Sequence, residues 1–192
     1  MDGAHGPQDC AVRVEMCMGL CARSGIVGRV TESACPSCGW DSTAGANGVD
    51  PPFPASPACY SAYLELSAYN VERARWDFIH QQAVDAYAAQ HSGPPAKPIS
   101  AWFALVGLHL ALDQERTGRQ VQHAHMRLGR HKQAWPPLRP PADLRCMTAG
   151  EVLRHSPGDD RDAATLWWAG DVWSRWADSH HVIAEFCSDT GL

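Results

Sequence analysis

The stretch Cys35-Pro36-Ser37-Cys38-Gly39 constrains this chain more than any other, because two thiols at this spacing fold back to face one point. Pro36 sets the first turn, and Gly39 permits a positive φ that lets backbone amides approach the sulfurs. The pattern is that of half a zinc knuckle. A tetrahedral site needs four ligands, and with no second CxxC in the chain the other two must come from distant segments. Cys59 is the first candidate. The 8 Cys in 192 residues are too sparse for a disulfide scaffold, so metal ligands or reactive thiols in a reducing compartment are expected.

Composition removes several function classes. Lys plus Arg number 16 against 21 Asp plus Glu, a net charge of −5 that argues against a general nucleic-acid or anionic-membrane binder. The longest nearly apolar run, Ala101 to Leu112, contains His109 and is too short to cross a bilayer. Asp2, Asp9 and Glu15 stand where a secretory signal would need a basic start and an apolar core, so a cytoplasmic location is expected. Residues 1–34 carry Cys10, Cys17 and Cys21 among glycines with no sustained period, and read as a poorly ordered N-terminal extension. A true start downstream, for instance at Val30, would make the preceding residues a conceptual extension; the intact mass of the native protein decides it. Cys17 to Ser24 also fits C-x5-R-S, the phosphate-cradling loop of tyrosine phosphatases, but lacks the strand-to-helix setting that loop requires.

Residues 35–192 read as one helical domain whose Cys knuckle occupies 35–59. Residues 41–57 are rich in Gly, Pro and Ser and form a loop. Ser56 or Pro57 opens a helix to about Asn70, and a second runs from about Arg73 to His91, where Gly93, Pro94 and Pro95 stop it. A third, nearly all apolar, runs from Pro98 to about Arg116, and a basic fourth from Arg119 to Lys132. Four prolines keep Trp135 to Leu144 extended. Thr148 and Glu151 make a capping box, and Asp159, Asp160 and Asp162 place negative charge at the start of a last long helix, Arg161 to Cys187. Strand signals are nearly absent. The expected class is all-α, an irregular bundle of five or six helices with an N-terminal zinc-knuckle-like loop.

The second helix carries His80, Asp85, Tyr87 and His91. Eleven residues span about three turns, so His80 and His91 share a face yet stand about 16 Å apart and cannot ligate one ion. In an antiparallel hairpin of the first two helices the Cys59 side chain leans toward the open end, which favours His91 over His80 as fourth ligand without excluding His80. In the last helix Leu166, Ala169, Trp173, Trp176 and His180 form one stripe, with Trp167, Trp168 and His181 beside it. The tryptophans read as core whose indole N–H groups need partners, and His180 as the residue facing a cavity. His123 and His125 point in nearly opposite directions and belong to a solvated basic face.

CPSCG, SPACYSAYLELSAY, IHQQAVDAYAAQH, LVGLHLAL, WPPLRPPADLRCMTAGEVL and WAGDVWSRWADSHH, in this order, resemble one uncharacterised bacterial family, domain-of-unknown-function family 5946. The resemblance covers about Cys35 to Phe186. It implies motif positions at Cys35, Cys38, Cys59, His80, Asp85, His91, His180 and His181. It also implies a third-helix histidine where this chain has Ala104, with His109 five residues later.

Three functional readings follow. In the first, the chain is a zinc-binding helical protein in which Cys35, Cys38, Cys59 and either His91 or His80 hold a structural ion. In the second it is a metal-dependent hydrolase or transferase in which His80, Asp85, His91 and His180 converge on a cavity, with Asp85, His80 and His180 as catalytic candidates. In the third the Pro-rich segment 135–141 docks a protein partner. Coordination separates the first two, since four protein ligands close a site and three plus water leave it open.

Overall fold

The structure, a computed structural model, describes residues 34–41, 50–94, 96–130 and 134–192. The expected N-terminal extension up to Ser33, including the C-x5-R-S stretch, lies outside the described residues, as do His131 and Lys132. Seven α-helices make up the described part: α1 Pro57–Arg73, α2 His80–Gln90, α3 Pro98–Leu112, α4 Gly118–Leu128, α5 Ala149–Val152, α6 Asp159–Arg175 and α7 His180–Thr190. A 3-10 turn, Ala177–Ser179, joins the last two. No strand longer than a single bridge occurs among the described residues, and no helix there is long and apolar enough to cross a membrane.

The helix starts follow their caps. Ser56 accepts the Cys59 N–H with Pro57 in the first turn of α1, and Thr117 with Gln120 and Thr148 with Glu151 form capping boxes for α4 and α5. The first helix runs on to Arg73 past the expected Asn70, and the third and fourth stop at Leu112 and Leu128, short of Arg116 and Lys132. Two further differences are larger. The second helix begins at His80 instead of Arg73, because Ala74 and Phe78 take left-handed φ values of 49° and 54° and break the chain between α1 and α2. The interrupted stretch is held by Arg75, whose guanidinium pairs with Asp77 at 2.8 Å, and by the Gly118 N–H, which donates to the Asp77 carbonyl at 2.7 Å. The single long last helix divides after Arg175. Trp176 buries its ring there, and α7 turns to pack on α3, which brings the helix count to seven.

At the centre lies α2, packed mainly between α3 and α6. Its neighbour α3 is almost wholly apolar, whereas α2 buries Gln81, Gln82, Asp85 and Gln90 among its alanines. Enclosed polar groups must find partners, and Gln90 finds four, one of them the Cys146 sulfur at 3.1 Å. Its amide nitrogen donates to the carbonyls of Leu144 at 3.2 Å and Met147 at 3.0 Å, while its oxygen accepts the Trp168 indole N–H at 3.1 Å. One side chain thus ties the extended 144–147 segment and α6 to the central helix. The indoles of Trp102 and Trp173 likewise donate, to the Pro136 carbonyl and to Asp113. That first bond, with Trp135 and Leu138 packed against the core, commits the inner side of the Pro-rich segment to the bundle.

Asp162 fastens α6 to the end of α1. Its side chain is 2% exposed and accepts from the Tyr69 hydroxyl at 3.1 Å, Arg73 Nε at 3.2 Å and an Arg75 terminal nitrogen at 3.1 Å. Both arginines are partly exposed and can rehydrate once unpaired. Asp162→Ala is therefore expected to cost about 2 kcal/mol, in the range for hydrogen bonds to charged groups, read as a lower urea midpoint at unchanged m-value.

Candidate metal centre

The first two sulfurs come from a tight hairpin. Cys35 N–H donates to the Trp40 carbonyl and Gly39 N–H to the Cys35 carbonyl, both at 2.8 Å, and a bridge between Ala34 and Asp41 closes the turn. Gly39 takes φ 73°, where a side chain would be strained and would press on Arg145. This geometry aims the Cys38 N–H at the Cys35 sulfur and the Trp40 N–H at the Cys38 sulfur. The hairpin is anchored twice. Ser37 donates to the Pro54 carbonyl at 2.5 Å, and the Trp40 ring lies on α5 where Gly150 leaves room for no side chain of its own.

The third sulfur, Cys59, sits in the first turn of α1, fixed by the Ser56 cap at 3.2 Å. His91 closes the C-terminal end of α2. Its Nδ1 lies 2.8 Å from the Tyr87 carbonyl, so this nitrogen carries the proton and Nε2 is left with a lone pair facing the sulfurs. Nε2 is 3.5 Å from Cys35 Sγ and 3.4 Å from Cys59 Sγ, and Cys38 Sγ is 3.7 Å from Cys59 Sγ. All four ligand atoms lie within 4.8 Å of one another. A tetrahedron with zinc–ligand bonds near 2.3 Å to sulfur and 2.0 Å to nitrogen has S···S edges of about 3.8 Å and S···N edges of about 3.5 Å. The three close contacts match those edges.

The cluster is out of water: each of its four residues is 3% exposed or less. The Tyr87 ring stacks on the His91 imidazole at 4.1 Å and on Tyr63 at 4.0 Å, with Phe53 and Tyr60 packed around it. In this enclosure the Cys35 sulfur, accepting from the Cys38 and Cys59 thiols, is held well below the ordinary thiol range. Hydrogen bonding to the Cys35 sulfur pushes Cys38 up to about 12 and raises Cys59 further. Three thiolates packed this closely out of water require a cation among them.

The other site residues read from the sequence are not brought together. Among the described residues, Cys35, Cys38, Cys59 and His91 form the one group of three or more potential ligands. His80 rests edge-on against Phe78, its Nδ1 buried without a partner, and burial lowers its pKa. The His180 ring stacks on Trp173 at 3.7 Å, and its Nε2 meets the Trp173 carbonyl at 2.9 Å, so it caps the end of α6. His181 is exposed. Asp85 is buried on α2, where it accepts from the Gln81 amide at 3.1 Å, and its Oδ2 has no partner. His125 of α4, read from the sequence as part of a solvated face, turns inward instead. Its Nδ1 stands 4.0 Å from Asp85, and its Nε2 meets the Phe103 carbonyl at 2.9 Å. Gly107 is the signal that could have revealed this pair: a glycine inside an apolar helix marks a close approach, and a Cβ there would collide with both side chains.

A buried group of three thiols and one imidazole in a helical bundle defines the class, an all-α protein with a candidate Cys3His metal centre. Over residues 33–177 the chain matches the model of the Family of unknown function (DUF5946), and it belongs to that family. The matched segment contains all four cluster residues with His80 and Asp85, and ends before His180. No curated protein and no solved structure matches the chain.

Burial raises the Asp85 pKa well above the usual carboxylate range, with the Gln81 bond opposing it. His125 and Tyr63 are the titratable groups beside it, the first kept neutral by burial and the second raised to about 12. A raised folded-state pKa means that the folded chain keeps a proton the unfolded chain has released. Stability from this group is therefore present below the unfolded value and lost as pH rises through the folded one. Asp85→Asn, neutral at every pH, is expected to match the parent near pH 4 and to melt at a higher temperature at pH 8. Melting curves at the two pH values check it.

Proposed function

We propose that Cys35, Cys38, Cys59 and His91 hold one structural zinc ion, and that this protein is a zinc-binding helical protein whose metal pins the N-terminal knuckle to the α1–α2 hairpin. The observation that carries this reading is the edge lengths of the cluster, 3.4 to 3.7 Å between ligand atoms from three separate segments. The donor set supports zinc, since soft thiolates with one imidazole suit a tetrahedral site. Four buried protein ligands leave no open position for water or substrate, which favours a structural ion over the hydrolase or transferase reading. Such a site ties metal binding directly to folding. The unbridged Cys38 and Cys59 sulfurs support a reducing compartment, the cytoplasm, and the net charge of −5 supports partners other than nucleic acid.

Protein purified without an affinity tag is expected to carry one equivalent of zinc by elemental analysis, and Cys35→Ser only a trace. Cobalt reconstitution of the parent should give the intense visible bands of a tetrahedral thiolate site, a readout that needs no variant to fold. Equal substoichiometric zinc in both proteins, or octahedral cobalt in the parent, would overturn the reading.

A further inference from the structure

Asp85 and His91 are six residues apart on α2, about 9 Å along the axis and on different faces, so the Asp85 side of the helix is separate from the metal centre. There a cavity of about 320 Å³ opens, lined by residues of α2, α3 and α4 and by Phe53. Its lining is largely apolar, with Phe53, Val84, Ile99 and Phe103 among the walls. Gln81, Asp85, Ser100 and His125 supply the polar part.

These polar groups offer acceptors. The His125 Nε2–H is spent on the Phe103 carbonyl, and its Nδ1 lone pair accepts from the Gln81 amide at 3.4 Å. Gln81 thus directs its N–H groups at His125 Nδ1 and Asp85 Oδ1, which frees its own carbonyl oxygen, and Asp85 Oδ2 is buried with no partner. No lysine or arginine among the described residues lies within ion-pair distance of Asp85, and burial keeps His125 neutral. An enclosed carboxyl without a cation of its own is costly to ionise, and its environment is completed by a ligand that brings one. Aromatic walls favour the same choice, because ring faces attract cations while their area covers an apolar body. A bare divalent ion would find one carboxylate, one imidazole and apolar walls, short of a metal's usual coordination.

We infer that this cavity binds a small organic amine, the ammonium head paired with Asp85 and the apolar body against Phe53 and Phe103. The amine enters neutral and takes the proton that the Asp85 carboxyl holds in the free protein. The carboxyl O–H bond breaks with its electron pair kept on oxygen, the nitrogen lone pair forms one new N–H bond, and an ammonium–carboxylate pair results with no other reactant.

The test uses the full chain, titrated calorimetrically with benzylamine, its neutral counterpart benzyl alcohol and the anion benzoate. Benzylamine is expected to bind at least tenfold more tightly than benzyl alcohol, and benzoate not at all. Asp85→Asn keeps the shape but has no proton to give and forms no carboxylate, so benzylamine and benzyl alcohol should bind it within twofold of each other. Zinc content equal to that of the parent shows that the metal centre is intact in the variant. Failure of benzylamine to bind the parent, binding no tighter than benzyl alcohol, or a preference for the amine that survives in Asp85→Asn overturns the inference and leaves the zinc reading untouched.

Discussion

Three sulfurs and an imidazole nitrogen leave water together at one point of this molecule, and the rest of the architecture is arranged so that they can. The knuckle supplies two of them, the start of α1 the third and the end of α2 the fourth. Each is aimed by a backbone bond of its own: the amides at Cys38 and Trp40, the Ser56 cap, and the Tyr87 carbonyl behind His91. Each ligand atom is therefore oriented by a bond within its own segment as well as by its neighbours in the cluster. Pre-orientation of this kind reduces the ordering that metal binding must otherwise impose.

The second constraint is the placement of a polar helix at the centre. A helix enclosed on most sides is ordinarily apolar all round, and α3 obeys that rule while α2 does not. Gln90 shows how a buried amide becomes a joint, its nitrogen bonded to the 144–147 segment and its oxygen to α6. Asp85 shows the opposite outcome, a carboxyl left half satisfied in a place where a close-packed interior would normally complete it. Between these extremes α2 divides the work, its C-terminal end committed to holding the fold together and its middle left with bonding capacity to spare.

Much of this was legible in the sequence, for identifiable reasons. The helix starts at Pro57, Pro98 and Thr148 could be read because proline and capping residues act locally. The knuckle could be read because its function is set by five adjacent residues. The breaks at Ala74 and at Trp176 could not, because neither carries a glycine or proline. Long-range bonds decide both, from Asp77 to Gly118 and from His180 to the end of α6. His180 was expected to face a cavity and His125 to face solvent, yet each took its place from helix packing. Periodicity gives the face of a helix and says nothing of the neighbour that covers it. Only the glycine at 107 carried a local trace of the Asp85–His125 approach.

Cys38 lies 21 residues from Cys59, Cys59 lies 32 from His91, and Cys35 lies 56 from His91. Closing the shortest of these loops costs the least chain entropy, so the knuckle and the start of α1 meet first and His91 joins when the two helices dock. The nascent segment thus presents a three-sulfur claw before the imidazole arrives. An ion caught there would draw in the remaining nitrogen, so that the order of assembly is written into the spacing of the ligands along the chain.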